Sequence, residues 1–193
     1  MPLDFDLLKR KDRAITEAHR ISCEKIFNRC RSTSSGPWNM DANEWTHEFV
    51  RCAVDILRPS KIPLSPAMAQ GILESDGGRS GVLFGIKARK CDVAAGLAVE
   101  KDTKEFIGGV WKNVKAYFFI GRSMEDQFRQ YLDLCRRVHP NFGKYYPSLG
   151  EDYIKYILRP DKAYATDPKY KEEILNTVRS LKLYIFDVFE MYQ

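Results

Sequence analysis

Apolar residues recur at helical spacing along most of this chain, and the first such stripe lies near the N-terminus. Its members are Cys23, Ile26, Phe27 and Cys30. Their i, i+3, i+4, i+7 spacing predicts that residues 3–31 are helical. Residues 32–37 are rich in serine, glycine and proline, which is typical of a linker. We therefore expect an N-terminal helical extension and linker at residues 1–37, packed on a main domain at residues 38–193 or docked on a partner protein.

Capping residues mark where two further helices begin. Asp41 is followed three residues later by Glu44, which is the spacing of a capping box. The apolar stripe behind them predicts a helix that ends at Pro59. Ser65 and Pro66 are residue types preferred at the N-cap and at the first helical position, so they predict the start of the next helix.

The pattern changes at residues 97–119, where β-branched and aromatic runs flank the glycines at 108–109. This arrangement predicts a β-hairpin. Helical spacing then returns, with helix starts predicted at Ser123, Ser148 and Asp167. The last helix is predicted to carry one continuous apolar stripe, formed by Ile174, Val178, Leu181, Ile185 and Val188. Strands confined to the middle of a helical chain indicate an α+β fold, mostly helical with a small β-hairpin lobe.

Composition and charge narrow the class of protein. A hydrophobic content of 44% and a charged content of 30% are ordinary for a globular domain. The net charge of +5 suits an anionic partner, such as nucleic acid, a membrane surface or a cell-wall polymer. Charge alone does not choose among these partners. Because no run of ~20 apolar residues is present, we expect no membrane insertion.

The cysteines and the N-terminus bear on where the protein is made. The chain has five cysteines, and none of them lies in a C-x-x-C pair. An odd number without a metal-binding spacing predicts free thiols and folding in a reducing compartment. The first residues contain no apolar segment of the kind found in secretory signals. We therefore expect synthesis in the cytoplasm without a signal peptide.

Glu74 is the first candidate for chemistry. It falls in the last turn of the helix predicted to start at Ser65, where the helix dipole is negative, and Asp76 follows closely. Both effects are expected to raise the pKa of the Glu74 carboxyl, and a carboxyl that stays protonated can act as a general acid. Gln70 lies one turn earlier on the same face. By these arguments alone, however, Glu74 is one of 26 acidic residues, most of which are solvated.

Three segments of the sequence resemble a known family. Residues 69–80 read A-Q-G-I-L-E-S-D-G-G-R-S, and residues 83–88 read L-F-G-I-K-A. Together they resemble the signature of the flagellar-type and autolysin glucosaminidases, glycoside hydrolase family 73, which have a lysozyme-like fold. Residues 163–170, A-Y-A-T-D-P-K-Y, are similar to the segment that precedes the family's last helix. The order and spacing agree from about residue 45 to about residue 182.

The resemblance implies two catalytic carboxylates. The family's helix carries its catalytic acid near the C-terminus, at the position of Glu74. A second carboxylate is expected on the β-lobe, where counting back from Phe118 reaches Glu105; Glu100 and Asp102 are the alternatives. This group would activate a water or stabilise positive charge on the sugar. The acetamido group of the substrate is another candidate for that stabilising role.

Aromatic and amide side chains complete the candidate site. The resemblance implies that Tyr164 and Tyr170 line a sugar-binding cleft, and Phe106 and Tyr117 are further candidates. Core packing is the alternative explanation for each aromatic side chain. Gln70 either contacts the substrate or forms a buried structural hydrogen bond. We expect neither a cofactor nor a metal ion.

One position departs from the family's pattern. Relatives have a tryptophan where this chain has Gly77, and Asp76 adds an acidic group beside it. The change removes a bulky wall next to Glu74, so the resemblance says less about fine specificity than about the reaction.

The function implied is hydrolysis of the β-1,4 glycosidic bond after N-acetylglucosamine in bacterial peptidoglycan. A muramidase or lytic transglycosylase is an alternative, because the lysozyme-like fold serves all three activities. A wall-binding or structural component of an assembly is an alternative of another class, with the N-terminal helix as its docking element. Without a signal peptide, we expect delivery to the wall as a phage lysin released through a holin, as a virion-associated enzyme or by a secretion machine. No nucleic-acid partner is expected.

Overall fold

A computed structural model of the protein describes residues 17–30, 40–138 and 169–188. The helices are α1 (Glu17–Cys30), α2 (Ala42–Cys52), α3 (Leu64–Glu74), α4 (Lys90–Ala94), α5 (Met124–Val138), α6 (Tyr170–Ser180) and α7 (Ile185–Val188). The strands are β1 (Ala98–Ile107) and β2 (Val110–Phe119). The predicted α+β class, mostly helical with one small hairpin, is confirmed. The helix predicted to begin at Ser148 and the candidate residue Tyr164 lie outside the described residues.

Helix α1 belongs to the same core as the rest of the domain. Cys23, Ile26 and Cys30 are buried in one apolar cluster with residues of α2, α3 and α5. The hydroxyl of Ser22 donates a hydrogen bond to the carbonyl of Leu181, at 2.8 Å. The apolar stripe predicted from the sequence therefore packs within the chain over Glu17–Cys30.

Helix α2 begins as the sequence predicts. The Asp41 carboxylate accepts hydrogen bonds from the backbone N–H groups of Asn43 and Glu44, and the Glu44 carboxylate accepts one from the Asp41 N–H at 3.1 Å. These bonds satisfy donors that the first helical turn leaves free. The chain continues through a π-helical turn, Ala53–Leu57, and a 3-10 turn, Arg58–Ser60, which contains the predicted terminator Pro59.

Helix α3 begins two residues earlier than predicted, with Pro63 at its N-cap, so the prediction that Ser65 is the N-cap is wrong. Ser65 lies inside the first turn, and its N–H donates to Asp187 Oδ1 at 2.9 Å. Its hydroxyl donates to Asp187 Oδ2. A carboxylate from α7 thus does the capping that was assigned to Ser65. Residues 64–72 are all buried. Even so, among the described residues no helix has both the length and the apolar character needed to cross a membrane.

The hairpin forms where the sequence predicts it. β1 and β2 pair antiparallel from Ala98↔Phe119 to Ile107↔Val110. The two glycines between them have φ values of +63° and +82°, as the favoured two-residue hairpin turns require. Side chains alternate between two faces, and the face that carries Lys101 is turned toward the domain, because Lys101 Nζ donates to the Ser80 carbonyl.

The predicted last helix is interrupted. Helix α6 ends at Ser180, and Lys182 has the left-handed φ of +56°. The predicted stripe stays buried before the break, at Ile174, Val178 and Leu181. Beyond the break the buried apolar side chains are Leu183 and Phe186, which were not part of the predicted stripe, whereas Ile185 is only partly buried. The break redirects the chain so that α7 places Asp187 at the N-terminus of α3, a contact that helical periodicity does not encode.

Candidate active site

Glu74 is the last residue of α3 and its side chain is partly buried. Burial, which disfavours the charged form, raises the pKa of its carboxyl. The hydrogen bond from Tyr170 works in the opposite direction and lowers this pKa, while the nearby charge of Glu173 raises it. The net direction is upward, so the carboxyl group is suited to holding a proton for transfer.

The direction of this shift agrees with the sequence prediction, but the cause differs. Asp76 was expected to raise the pKa of Glu74. Its exposed carboxylate instead accepts two hydrogen bonds from Arg79, which lower the pKa of Asp76 itself. The like charge that acts on Glu74 comes from Glu173 in α6. Sequence proximity pointed to the wrong neighbour because α6 packs against α3 in the folded chain.

A buried series of polar side chains leads to Glu74. The Tyr131 hydroxyl donates a hydrogen bond to Gln70 Oε1 at 2.6 Å, and Gln70 Nε2 donates to the Tyr170 oxygen at 3.3 Å. Tyr170 is in turn hydrogen-bonded to Glu74. Gln70 has no exposed surface, and Tyr131 and Tyr170 are buried. This burial favours the structural alternative for Gln70 over direct contact with substrate, and only Tyr170 reaches the carboxyl group.

The main chain at Gly85 packs against the Glu74 carboxyl group. Its φ is +59°, and a β-carbon at this position would lie 2.6 Å from Glu74 Oε2. The segment that carries Gly85 is anchored by Gln127, whose Oε1 accepts from the Leu83 N–H at 2.7 Å. Gln127 Nε2 donates to the carbonyls of Gly81 and Ile120, at 2.9 Å each. One buried amide therefore ties this segment to the end of the hairpin.

Two residues of α5 that support the site were not predicted from the sequence: Tyr131 and Gln127. The sequence did contain an indication that Gln127 has a special role, because this amide interrupts the otherwise apolar stripe that α5 turns inward. A buried polar side chain requires partners, and here the partners are the backbone groups beside the candidate site. Tyr131 was indistinguishable from a core aromatic until its hydroxyl was located.

The space beside Gly77 and Gly78 is filled by other elements. A β-carbon on Gly78 would lie 2.6 Å from the indole ring of Trp45, which stacks on Phe49 in α2. A β-carbon on Gly77 would lie 3.4 Å from the carbonyl of Arg29 at the end of α1. The turn after Glu74 is thus covered by α1 and α2. A β-carbon at Gly77 would make only ordinary contact with α1, so it is the left-handed φ of +65° that favours glycine there.

Glu105 lies on the face of the hairpin that is turned toward the domain. Its Oε1 is 2.6 Å from Nζ of Lys87, and its side chain is 23% exposed. Lys87 is two residues beyond Gly85, so one segment contacts both candidate carboxylates. Glu100 and Asp102 lie on the opposite face and are exposed, and Glu100 is paired with Lys115 at 3.5 Å. The strand register therefore favours Glu105 among the three alternatives.

The aromatic candidates on the hairpin do not share the face of Glu105. Phe106 contacts Trp111, its cross-strand neighbour, with ring centroids 5.3 Å apart. Tyr117 pairs with Glu100 and is 45% exposed. Their roles as substrate contacts stay predictions, which this placement does not favour. Within the described ranges, no group of three His, Cys, Asp or Glu side chains is placed to hold a metal ion.

Two named bacterial proteins are similar in sequence to this chain. The chain is 30% identical over 168 residues to an N-acetylmuramoyl-L-alanine amidase domain-containing protein of Staphylococcus aureus, covering 79% of this chain and 26% of that protein. It is 29% identical over 133 residues to the peptidoglycan hydrolase FlgJ of Escherichia coli O157:H7, covering 64% of this chain and 41% of FlgJ. The chain therefore spans less than half the length of these curated relatives.

Comparison with solved structures agrees with the sequence relationship. The glycoside hydrolase domain of Salmonella typhimurium FlgJ, in a C-terminally truncated form, superposes with a TM-score of 0.51 at 26% identity. The match covers 70% of this chain and 93% of that structure. Residues 51–183 match the glucosaminidase family, described as mannosyl-glycoprotein endo-beta-N-acetylglucosaminidase. This chain, with its lysozyme-like fold, belongs to the glucosaminidase family.

Proposed function

We propose that this protein is an endo-β-N-acetylglucosaminidase that hydrolyses the glycan strand of peptidoglycan. The observation that carries the proposal is the Glu74 carboxyl group, held between Tyr170 and Gly85 with a raised pKa. Family membership supports the bond that is cleaved. The relatives named as peptidoglycan hydrolases support the polymer on which it acts.

The reaction requires an acid that protonates the leaving oxygen and a group that stabilises the positive charge left on the sugar. Glu74 donates its proton to the glycosidic oxygen as the bond from that oxygen to the anomeric carbon breaks. Positive charge then develops on the sugar, and either Glu105 or the substrate's acetamido group stabilises it. Water adds to the anomeric carbon and loses a proton, which restores the acid. Lys87 keeps the Glu105 carboxylate on the inner face of the hairpin.

Analysis of the released sugar fragments tests this assignment. Purified peptidoglycan is digested, and the new reducing ends are identified by mass spectrometry. We expect reducing N-acetylglucosamine, no fragments from Glu74→Gln, and unchanged digestion by Glu172→Gln, which alters an exposed carboxylate on α6. Reducing N-acetylmuramic acid would indicate a muramidase, and anhydro ends a lytic transglycosylase. An active Glu74→Gln protein would overturn the role of Glu74, and an inactive parent would favour a wall-binding component.

The substrate class needs its own assay, because the family description refers to mannosyl-glycoproteins. The protein is incubated in parallel with peptidoglycan and with a high-mannose glycoprotein under the same conditions. The proposal expects fragments only from peptidoglycan. Release of intact oligosaccharide from the glycoprotein alone would contradict the proposed substrate while leaving the type of bond cleaved unchanged.

The N-terminal segment either packs as part of the domain or docks on an assembly partner, and a truncated chain starting near Trp38 distinguishes these alternatives. The apolar side chains Cys23, Ile26 and Cys30 are already buried in the domain's own core. We therefore expect this truncation to destabilise the domain and to lower hydrolysis. If hydrolysis is retained while binding to an assembly is lost, the segment acts as a docking element.

A further inference from the structure

We propose that Tyr131 and Gln70 are positioning residues that act through Tyr170 to orient the Glu74 carboxyl group and to determine which of its oxygens carries the acid proton. The inference rests on the proposed function, because it takes Glu74 as the proton donor. It assigns a role in the reaction to two buried side chains whose hydrogen bonds lead to the carboxyl group through Tyr170.

The first link sets the orientation of the Gln70 amide. A tyrosine hydroxyl has one proton to donate, and that of Tyr131 goes to Gln70 Oε1 at 2.6 Å. Tyr131 is 1% exposed and Gln70 is completely buried, so water does not compete for these groups. The amide nitrogen must therefore point the other way, toward Tyr170.

The second link sets the direction of the Tyr170 hydroxyl. An amide NH2 group can only donate, so the Tyr170 oxygen accepts from Gln70 Nε2, at 3.3 Å. The proton of Tyr170 cannot point back along this bond and is left for Glu74. Burial and the charge of Glu74 raise the pKa of the Tyr170 phenol well above its ordinary value, so it stays protonated and able to donate.

The third link places the acid proton. The Glu74 oxygen that faces Tyr170 accepts a hydrogen bond, so the proton to be transferred resides on the other oxygen. After transfer, the same hydrogen bond stabilises the carboxylate that forms. This opposes the effect of burial, and the balance of the two sets how far the pKa of Glu74 rises.

The ring of Tyr131 is held independently of its hydroxyl. It stacks on Phe84, with ring centroids 4.3 Å apart and an interplanar angle of 22°. Phe84 precedes Gly85, which contacts the Glu74 carboxyl group. Replacing Tyr131 by phenylalanine therefore removes one hydrogen-bond donor and keeps the aromatic packing, which makes Tyr131→Phe an informative variant.

Without the Tyr131 donor, the Gln70 amide can turn its oxygen toward Tyr170 and draw the phenol proton away from Glu74. The pKa of Glu74 then rises, and activity persists to higher pH. We expect Tyr131→Phe to move the alkaline limb of the kcat/KM profile upward by about one pH unit, a size typical of losing one hydrogen bond to a carboxylate. Tyr170→Phe, which removes the last donor directly, should produce a shift at least as large.

The experiment measures pH profiles of peptidoglycan hydrolysis for Tyr131→Phe, Tyr170→Phe, Gln70→Leu and the Tyr131→Phe, Gln70→Leu double variant. Tyr184→Phe alters an exposed tyrosine in the turn between α6 and α7; it is the matched control and should keep the parent profile. In the Gln70→Leu background, Tyr131→Phe should cause no further shift, because Gln70 transmits its effect. Melting temperatures confirm that each variant is folded.

An unchanged alkaline limb in folded Tyr131→Phe would overturn the inference, as would an equal shift with and without Gln70. If Tyr131→Phe does not fold, the Tyr170→Phe profile decides, and an unchanged limb there overturns the inference as well. The proposed function is judged separately by Glu74→Gln. If the Glu74→Gln protein is inactive and the pH profile of Tyr131→Phe equals that of the parent, only the positioning role of Tyr131 and Gln70 is rejected.

Discussion

Gly85 lies directly against the carboxyl group of Glu74: a β-carbon at residue 85 would be 2.6 Å from Glu74 Oε2. Its φ of +59° is also in the left-handed region that side chains with a β-carbon disfavour. Both the backbone conformation and the available space thus require glycine at this point. The glycine of the L-F-G-I-K-A segment therefore has a physical role: it allows the main chain to lie directly against the Glu74 carboxyl group.

Replacing Gly85 by alanine should therefore reduce activity far more than stability. We expect kcat/KM to fall about 100-fold, because the new methyl group displaces the Glu74 carboxyl from its position. Gly96→Ala is the matched control, since Gly96 has a φ of +71° but nothing within 4 Å of the added carbon. It should be destabilised by roughly 1 kcal/mol and keep its activity. Equal activity losses in both variants would show that backbone strain, and not the contact with Glu74, is responsible.

Glu74→Gln should be more stable than the parent at neutral pH. The folded protein raises the pKa of this carboxyl, so between the ordinary and the raised pKa the native state holds a proton that the unfolded chain releases. Stability contributed by this residue is therefore lost as the pH rises through that window. Glutamine has no charge to desolvate and can still accept from Tyr170. We expect a melting temperature about 2–4 °C higher at neutral pH and no gain below the ordinary glutamate pKa.

The comparison is made by thermal unfolding of both proteins across the pH range. Glu172→Gln, which removes an exposed carboxylate, serves as the reference and should change little at any pH. A stability difference for Glu74→Gln that does not vary with pH would contradict the proposed origin of the effect in proton uptake.

Glu105 lies on the face of the hairpin that is turned toward the domain, and we therefore predict that it takes part in the reaction. Glu105→Gln should lower kcat about 100-fold or more, a size typical of losing a group that acts on a proton or a developing charge. Glu100→Gln and Asp102→Asn alter the opposite face and should remain within about twofold of the parent, as their exposure implies. A near-normal kcat for Glu105→Gln would assign charge stabilisation to the substrate's acetamido group.

Asp187 should be among the most important residues for stability. Its buried carboxylate accepts from both the N–H and the hydroxyl of Ser65 in the first turn of α3. Asp187→Ala leaves these donors without their partner, so we expect a loss of about 2–3 kcal/mol in the free energy of unfolding. Asp133→Ala, at an exposed position on α5, should change it by less than about 0.5 kcal/mol. Denaturant unfolding measures both, and a loss for Asp187→Ala no larger than that of the control would contradict the capping role.

Local patterns in the sequence determined those parts of the protein that depend on neighbouring residues. The capping box of Asp41 and Glu44, the turn at residues 108–109 and the position of Glu74 at the end of a helix were all predicted. Each of them depends on interactions within a few residues, so the order of residue types is sufficient to indicate them.

Only the tertiary structure decided which distant groups act on these elements. It brings Glu173 and Tyr170 to Glu74, supplies Asp187 as the cap of α3, and connects Tyr131 to the site through Gln70. It also orients the hairpin, so that Glu105 and not Glu100 faces the domain. Helical and strand periodicities specify which side of an element is apolar, but they carry no information about which element packs against it. The sequence by itself therefore placed Glu74, the proposed acid, at the end of a helix, whereas the packing of other elements around α3 decided the pKa and the hydrogen bonds of this carboxyl group.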